Sequence, residues 1–100
     1  MRKMAEFQVG FNADGNKDLA FFSARERKII VAAIKKQLAR EPLKETRNRK
    51  ALRDNPLAPW ELRVGRFRVF YRVEECSVTV VAVGCKEHNQ LFIRGKEVQL

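Results

Sequence analysis

No stretch of this 100-residue sequence approaches the roughly 20 consecutive apolar residues that a membrane helix requires. The basic start, Met1-Arg2-Lys3, is followed by polar residues within a few positions, so an apolar signal-peptide core is missing too. The expected location is the cytoplasm. Cysteine is scarce, with only Cys76 and Cys85. One falls in an expected turn and the other near the far end of the strand that follows. An extended strand rises about 3.3 Å per residue, which puts a bridge between them out of reach. Both read as reduced thiols, as in a cytosolic protein. With His88 alone beside them, no metal-site spacing is present. There is no internal repeat, low-complexity tract or linker, so residues 1–100 read as a single domain.

What is abundant is positive charge. The formal net charge is +9 and the isoelectric point about 10.2. Such a charge on so small a domain raises the local concentration of polyanions and speeds their association, and points to a phosphate-bearing partner. Solubility alone is the plainer alternative. The hydrophobic share, 45%, is enough for an ordinary folded core.

Glu6 to Phe11 alternates as a half-buried strand does, with Phe7, Val9 and Phe11 on one side. Asn12-Ala13-Asp14-Gly15-Asn16 reads as a turn that ends it. A short helix is expected over Lys17 to Phe22. Ser23-Ala24-Arg25-Glu26 has the form of a capping box, which opens a helix running to about Arg40. Ile30, Ile34 and Leu38 make its apolar stripe, and Pro42 stops it. Lys44 to Arg53, the most basic stretch, has little apolar content and reads as loop or frayed turn. Trp60 to Val64 and Phe67 to Val73 alternate around Gly65-Arg66, a two-residue loop suited to a type II′ hairpin. Ser77 to Cys85 is apolar on both faces and therefore a central strand. Asn89 to Leu100 is a tail, either a short helix or an edge strand.

The hairpin fixes a register. Val64 faces Phe67, Arg63 faces Arg68, Leu62 faces Val69, Glu61 faces Phe70 and Trp60 faces Tyr71. Trp60, Leu62, Val64, Phe67, Val69 and Tyr71 then share the face that packs under the helices. Arg63 and Arg68 share the other, a face expected to carry no core. Like charges directly opposite are unfavourable on a sheet, unless an anion or carboxylate lies between them. The following strand returns antiparallel and brings Lys86 and His88 to the same end. Fixed cations can stabilise charge developing on phosphate oxygens, and a histidine can exchange a proton near neutral pH. The plainer reading is a solvated rim with an incidental histidine. Glu61 is either a carboxylate that orients Arg63, the preferred reading, or a general base. The expected fold is α+β, with an N-terminal strand and two helices on one face of a twisted antiparallel β-meander. Its expected core is Phe7, Val9, Ile30, Ile34, Leu38, Trp60, Leu62, Val69 and Tyr71.

The run Trp60-Glu61-Leu62-Arg63-Val64-Gly65-Arg66-Phe67-Arg68-Val69-Phe70-Tyr71-Arg72-Val73, followed by Val80 to Gly84 and Lys86-Glu87-His88, resembles the RelE/ParE toxin superfamily. The resemblance implies the toxin of a type II toxin–antitoxin module, with a cognate antitoxin as partner and neither membrane nor small-molecule cofactor. RelE-type members cut mRNA on the ribosome without a metal, using the ribose 2′-hydroxyl as nucleophile. ParE-type members share the fold but poison DNA gyrase, and a degenerate member would only bind antitoxin or RNA. By this resemblance Arg68 is the arginine that meets the scissile phosphate, and Arg63 a basic residue on the preceding strand. Lys86 stands in place of an arginine, and His88 resembles the histidine of the YoeB branch. These four are the expected catalytic residues. Arg47, Arg49, Lys50, Arg53 and Arg66 are the expected RNA-binding cations. Glu61 stands where RelE has a lysine, and Phe92 where it has a tyrosine.

Overall fold

Asn12 is the hinge between the first strand and the first helix. The computed structural model describes residues 6–99, and in it Gln8–Phe11 form strand β1 and Ala13–Ala20 form helix α1. The Asn12 side chain accepts a hydrogen bond from the Gly15 amide at 2.7 Å, capping the helix. The segment from Asn12 to Asn16, expected as a turn, is thus the cap and first turn of a helix. Turn formers are also good N-caps, and the helix therefore starts earlier than the expected Lys17. Helix α2 spans Ala24–Leu38 and opens with the expected capping box, Ser23 and Glu26 bonding each other's backbone amides.

Six antiparallel strands follow in a meander: β2 (Arg49–Ala51), β3 (Trp60–Val64), β4 (Phe67–Glu74), β5 (Ser77–Glu87), β6 (Gln90–Ile93) and β7 (Lys96–Val98). Strand β1 joins them by pairing parallel with the first half of β5. All five expected β3–β4 pairs are present, Arg63 opposite Arg68 among them. Gly65 has φ +58°, as the first position of the expected hairpin turn requires. Part of the basic stretch read as loop is strand β2, a three-residue edge too short and polar to show a pattern. The tail read as a helix or an edge strand is the hairpin β6–β7, joined at Arg94-Gly95 with both residues at positive φ.

Strand β5 has a bulge that explains its apolar character on both faces. Phe70 pairs with Ala82, but Tyr71 pairs with Val80, leaving Val81 as the extra residue. The extra residue shifts the phase of alternation. Val78 and Val80 before it, and Val83 after it, all enter the helix-side core. That core also holds Phe22, Ile30, Ile34, Leu38, Leu62, Phe67, Val69 and Tyr71. The expected core residues Phe7, Val9 and Trp60 pack at its rim, half-buried.

The opposite face, expected to carry no core, has one. Phe70, Ala82, Leu91 and Ala58 form a second buried cluster, with Leu52 and Leu57 packed against it. The segment between β2 and β3 folds over this face, and its prolines keep it extended enough to do so. The face that carries the arginine pair therefore combines a small core with an exposed cationic end.

Helix α1 closes a gap along β5 between β1 and β6. The Asn12 amide donates to the Val80 carbonyl at 3.1 Å, and the Asp18 carboxylate accepts from the Val83 amide at 3.0 Å. A Cβ at Gly15 would run into the Val80 carbonyl oxygen, so only glycine lets the helix approach so closely. Asp18, 2% exposed, also forms an ion pair with Arg94 Nε at 2.8 Å, which ties the β6–β7 hairpin to α1.

Candidate functional site

Cross-strand pairing gathers the cations. Directly paired residues point to the same side of a sheet, so the pairs Lys50–Glu61, Glu61–Phe70 and Arg63–Arg68 put Lys50, Glu61, Arg63 and Arg68 on one face. Arg68 is opposite Gly84, which makes Lys86 its diagonal neighbour, roughly 7–8 Å away. Four cations, Lys50 from β2, Arg63 from β3, Arg68 from β4 and Lys86 from β5, thus share one face with Glu61.

Glu61 is the centre of the cluster. Its side chain is 8% exposed, and its two oxygens lie 3.6 Å from Arg63 Nε and 3.7 Å from Arg68 Nε. These are ion-pair distances, longer than hydrogen bonds. Both Nε atoms are buried and have no hydrogen-bond partner among the described residues. The Arg68 side chain is only 14% exposed and donates through its terminal nitrogen to the carbonyls of Gly65 and Phe67, at 2.7 and 2.9 Å. Those bonds hold the guanidinium flat against the hairpin tip. Burial pushes Arg68 below its ordinary pKa, Glu61 opposes the shift and Arg63 adds to it. Arg63 is more open, at 40% exposed. One carboxylate offsets only part of this charge, so the face retains a surplus that an anion would complete.

The other expected site residues scatter. His88 lies in the two-residue turn between β5 and β6, at the same end of the sheet, with His88 at φ +53° and Asn89 at φ +67°. It is exposed and makes no hydrogen bond or ion pair among the described residues. Arg49 lies on the other side of the sheet from Arg68. Strand alternation places it opposite Leu62 on the helix side, where its guanidinium bonds the Lys44 and Gln37 carbonyls. Arg66 reaches over the tip to Glu26 of α2 at 2.7 Å and stacks on Phe67. Arg47 and Arg53 are exposed on either side of β2. Phe92 pairs with Cys85 on the helix side, away from Arg68. The sequence singled out Lys50 only as one cation of a run. Its place in the cluster depends on β2, whose alternation is hidden by consecutive basic residues.

A family model described as the ParE toxin of the type II toxin–antitoxin system, parDE, matches residues 16–90. The chain belongs to the ParE toxin family. It is a type II toxin of the RelE/ParE superfamily, and the fold agrees. The solved RelBE2 toxin–antitoxin complex from Mycobacterium tuberculosis contains a chain that superposes with a TM-score of 0.72 at 27% identity. The match covers 86% of this toxin and 98% of that chain. No curated protein matches the sequence. Among the described residues of the toxin, no helix is long and apolar enough to cross a membrane.

Proposed function

We propose that this toxin cleaves mRNA on the ribosome, with the Arg63–Arg68 face as the phosphate site and a cognate antitoxin as its restraint. The observation that carries the reading is the pair of buried guanidinium Nε–H groups without a hydrogen-bond acceptor among the described residues, two arginines sharing the single carboxylate of Glu61. In cleavage the ribose 2′-hydroxyl gives its proton to water, and its oxygen forms a bond to phosphorus as the bond to the 5′-oxygen breaks. The phosphate takes on negative charge, and the departing 5′-oxygen gains a proton. Arg68 and Arg63 stabilise the charge, while Lys50 and Lys86 hold neighbouring phosphates. Glu61 orients both arginines. His88, in the β5–β6 turn at the same end of the sheet, is our candidate proton donor.

Inhibition of DNA gyrase is the second reading. The matched family model is that of ParE, and Phe92 lies on the opposite side of the sheet from Arg68. Expression of the toxin without antitoxin, followed by mapping of cellular mRNA 5′ ends, separates the two. New ends inside coding regions, absent with Arg68→Ala, support cleavage. Intact mRNA with DNA damage overturns it in favour of gyrase.

A further inference from the structure

The tip of the β3–β4 hairpin is held from both sides of the sheet. On the helix side, the first turn of α2 grips it. Glu26 accepts from the Ser23 amide with one carboxylate oxygen, at 3.0 Å, and from an Arg66 terminal nitrogen with the other, at 2.7 Å. The Arg66 guanidinium lies over the Phe67 ring, 5.0 Å from its centroid, and that ring meets Phe22 edge-on at 5.3 Å. Strand β5 adds a further hold, because the Lys86 amide donates to the Arg66 carbonyl at 2.8 Å. On the other side of the sheet, the carbonyls of Gly65 and Phe67 accept the two hydrogen bonds that seat the Arg68 guanidinium. These carbonyls belong to the residues directly before and after Arg66.

We propose that Glu26 and Arg66 are positioning residues, a strut from α2 to the hairpin tip that fixes the Arg68 guanidinium in the phosphate site. Its effect on rate rests on the RNA-cleavage reading, while its effect on Arg68 is a property of the toxin alone. The pair adds little to stability, since Arg66 is 53% exposed and water screens such ion pairs. Placement is another matter. A donor stabilises charge on a phosphate only from the right position, and a misplacement of about 1 Å can cost about a hundredfold in rate. The turn has little else to resist a shift, because a Cβ built on Gly65 would meet nothing within 4 Å. Glu61 is too far from Arg68 Nε, at 3.7 Å, to replace the tip carbonyls as a hydrogen-bond partner. Direct contact of Arg66 with RNA is the competing role, and the two roles forecast opposite results. Glu26→Gln keeps an oxygen for the Ser23 amide, as glutamine does in a capping box, and releases Arg66. A freed cation raises affinity for RNA, whereas a lost strut lowers the rate.

The test uses the full chain, with folding of each variant checked by circular dichroism. Arginine side-chain NMR reads the Arg68 Nε–H group directly, its signal assigned by its loss in Arg68→Lys. In Glu26→Gln and in Arg66→Gln that signal should shift and gain fast motion. Cleavage of a short mRNA on programmed ribosomes reads the consequence. For both variants kcat should fall about tenfold or more with KM within about twofold of the parent. Glu26→Gln/Arg66→Gln should lose no more than either single variant, because each already breaks the strut. In an Arg68→Ala background Glu26→Gln should change the rate by less than about twofold, since nothing remains to position. A loss of full size in that background marks a merely structural role and overturns the proposal. So does a change confined to KM or to RNA affinity, which makes Arg66 an RNA ligand. An Arg68 signal unchanged in both variants overturns it as well. A parent that leaves mRNA intact overturns the nuclease reading instead, and the NMR signal then decides the strut by itself. A parent that cleaves alongside variants of undiminished rate overturns the strut and leaves the nuclease reading standing.

Discussion

Replacing Glu61 by glutamine keeps the shape of the side chain and removes its charge. Two guanidinium groups, one of them 14% exposed, then face each other without a carboxylate. Removing one partner of a well-formed buried ion pair costs about 3–5 kcal/mol. The long contacts here argue for less, about 2 kcal/mol, read from urea unfolding. Added phosphate should recover much of the loss if the face binds anions, and no recovery would argue against a phosphate site. Arg68→Ala should lower mRNA cleavage about a hundredfold or more, the usual loss for one electrostatic donor. Lys36→Ala on α2 should leave cleavage unchanged in the same assay. His88→Asn is the cleaner test of the proton donor, because asparagine accepts the left-handed backbone of that turn. Cleavage that survives it removes His88 from the mechanism and leaves the arginines.

At the scale of elements, α1 substitutes for a missing stretch of neighbouring strand along β5. Gly15→Ala pushes a Cβ into the Val80 carbonyl and should cost about 1–3 kcal/mol, as overpacking does. Asp18 gives a pH signature. Burial raises its pKa more than the Val83 amide and Arg94 lower it. With the folded pKa above the unfolded one, the folded state holds more protons between the two values. The contribution of Asp18 to stability is therefore greatest below the unfolded pKa and declines as pH rises through the folded one. Asp18→Asn, which keeps an acceptor for Val83, should gain on the parent between pH 4 and pH 7 in urea melts. An unchanged difference would show that Arg94 fully compensates the buried charge.

For the whole molecule, net charge sets the dependence on salt. With Lys50, Arg63, Arg68 and Lys86 each meeting a phosphate, log K for single-stranded RNA should fall with log salt at a slope of about −2.8, from about 0.7 per contact. Lys50→Ala/Lys86→Ala should bring the slope to about −1.4. Equal slopes would mean that RNA binds elsewhere on the surface.

The sequence by itself determined the β3–β4 hairpin, the face of each of its residues and the capping box of α2. Those depend on a period of two, a two-residue loop and neighbours three positions apart, all local. Arg63 opposite Arg68 was legible for that reason, as was the need for an anion or a carboxylate between them. Tertiary structure decided the rest. It made Arg49 a buried tie to Gln37 and Lys50 the cross-strand neighbour of Glu61, because β2 takes its alternation from pairing with β3. It gave the arginine face a second core, because the segment from Leu52 to Pro59 returns over Phe70. It also joined Asp18 to Arg94 across most of the chain. Contacts so distant in sequence leave no periodic trace, since each side of the pair is an ordinary charged residue until the fold brings them together.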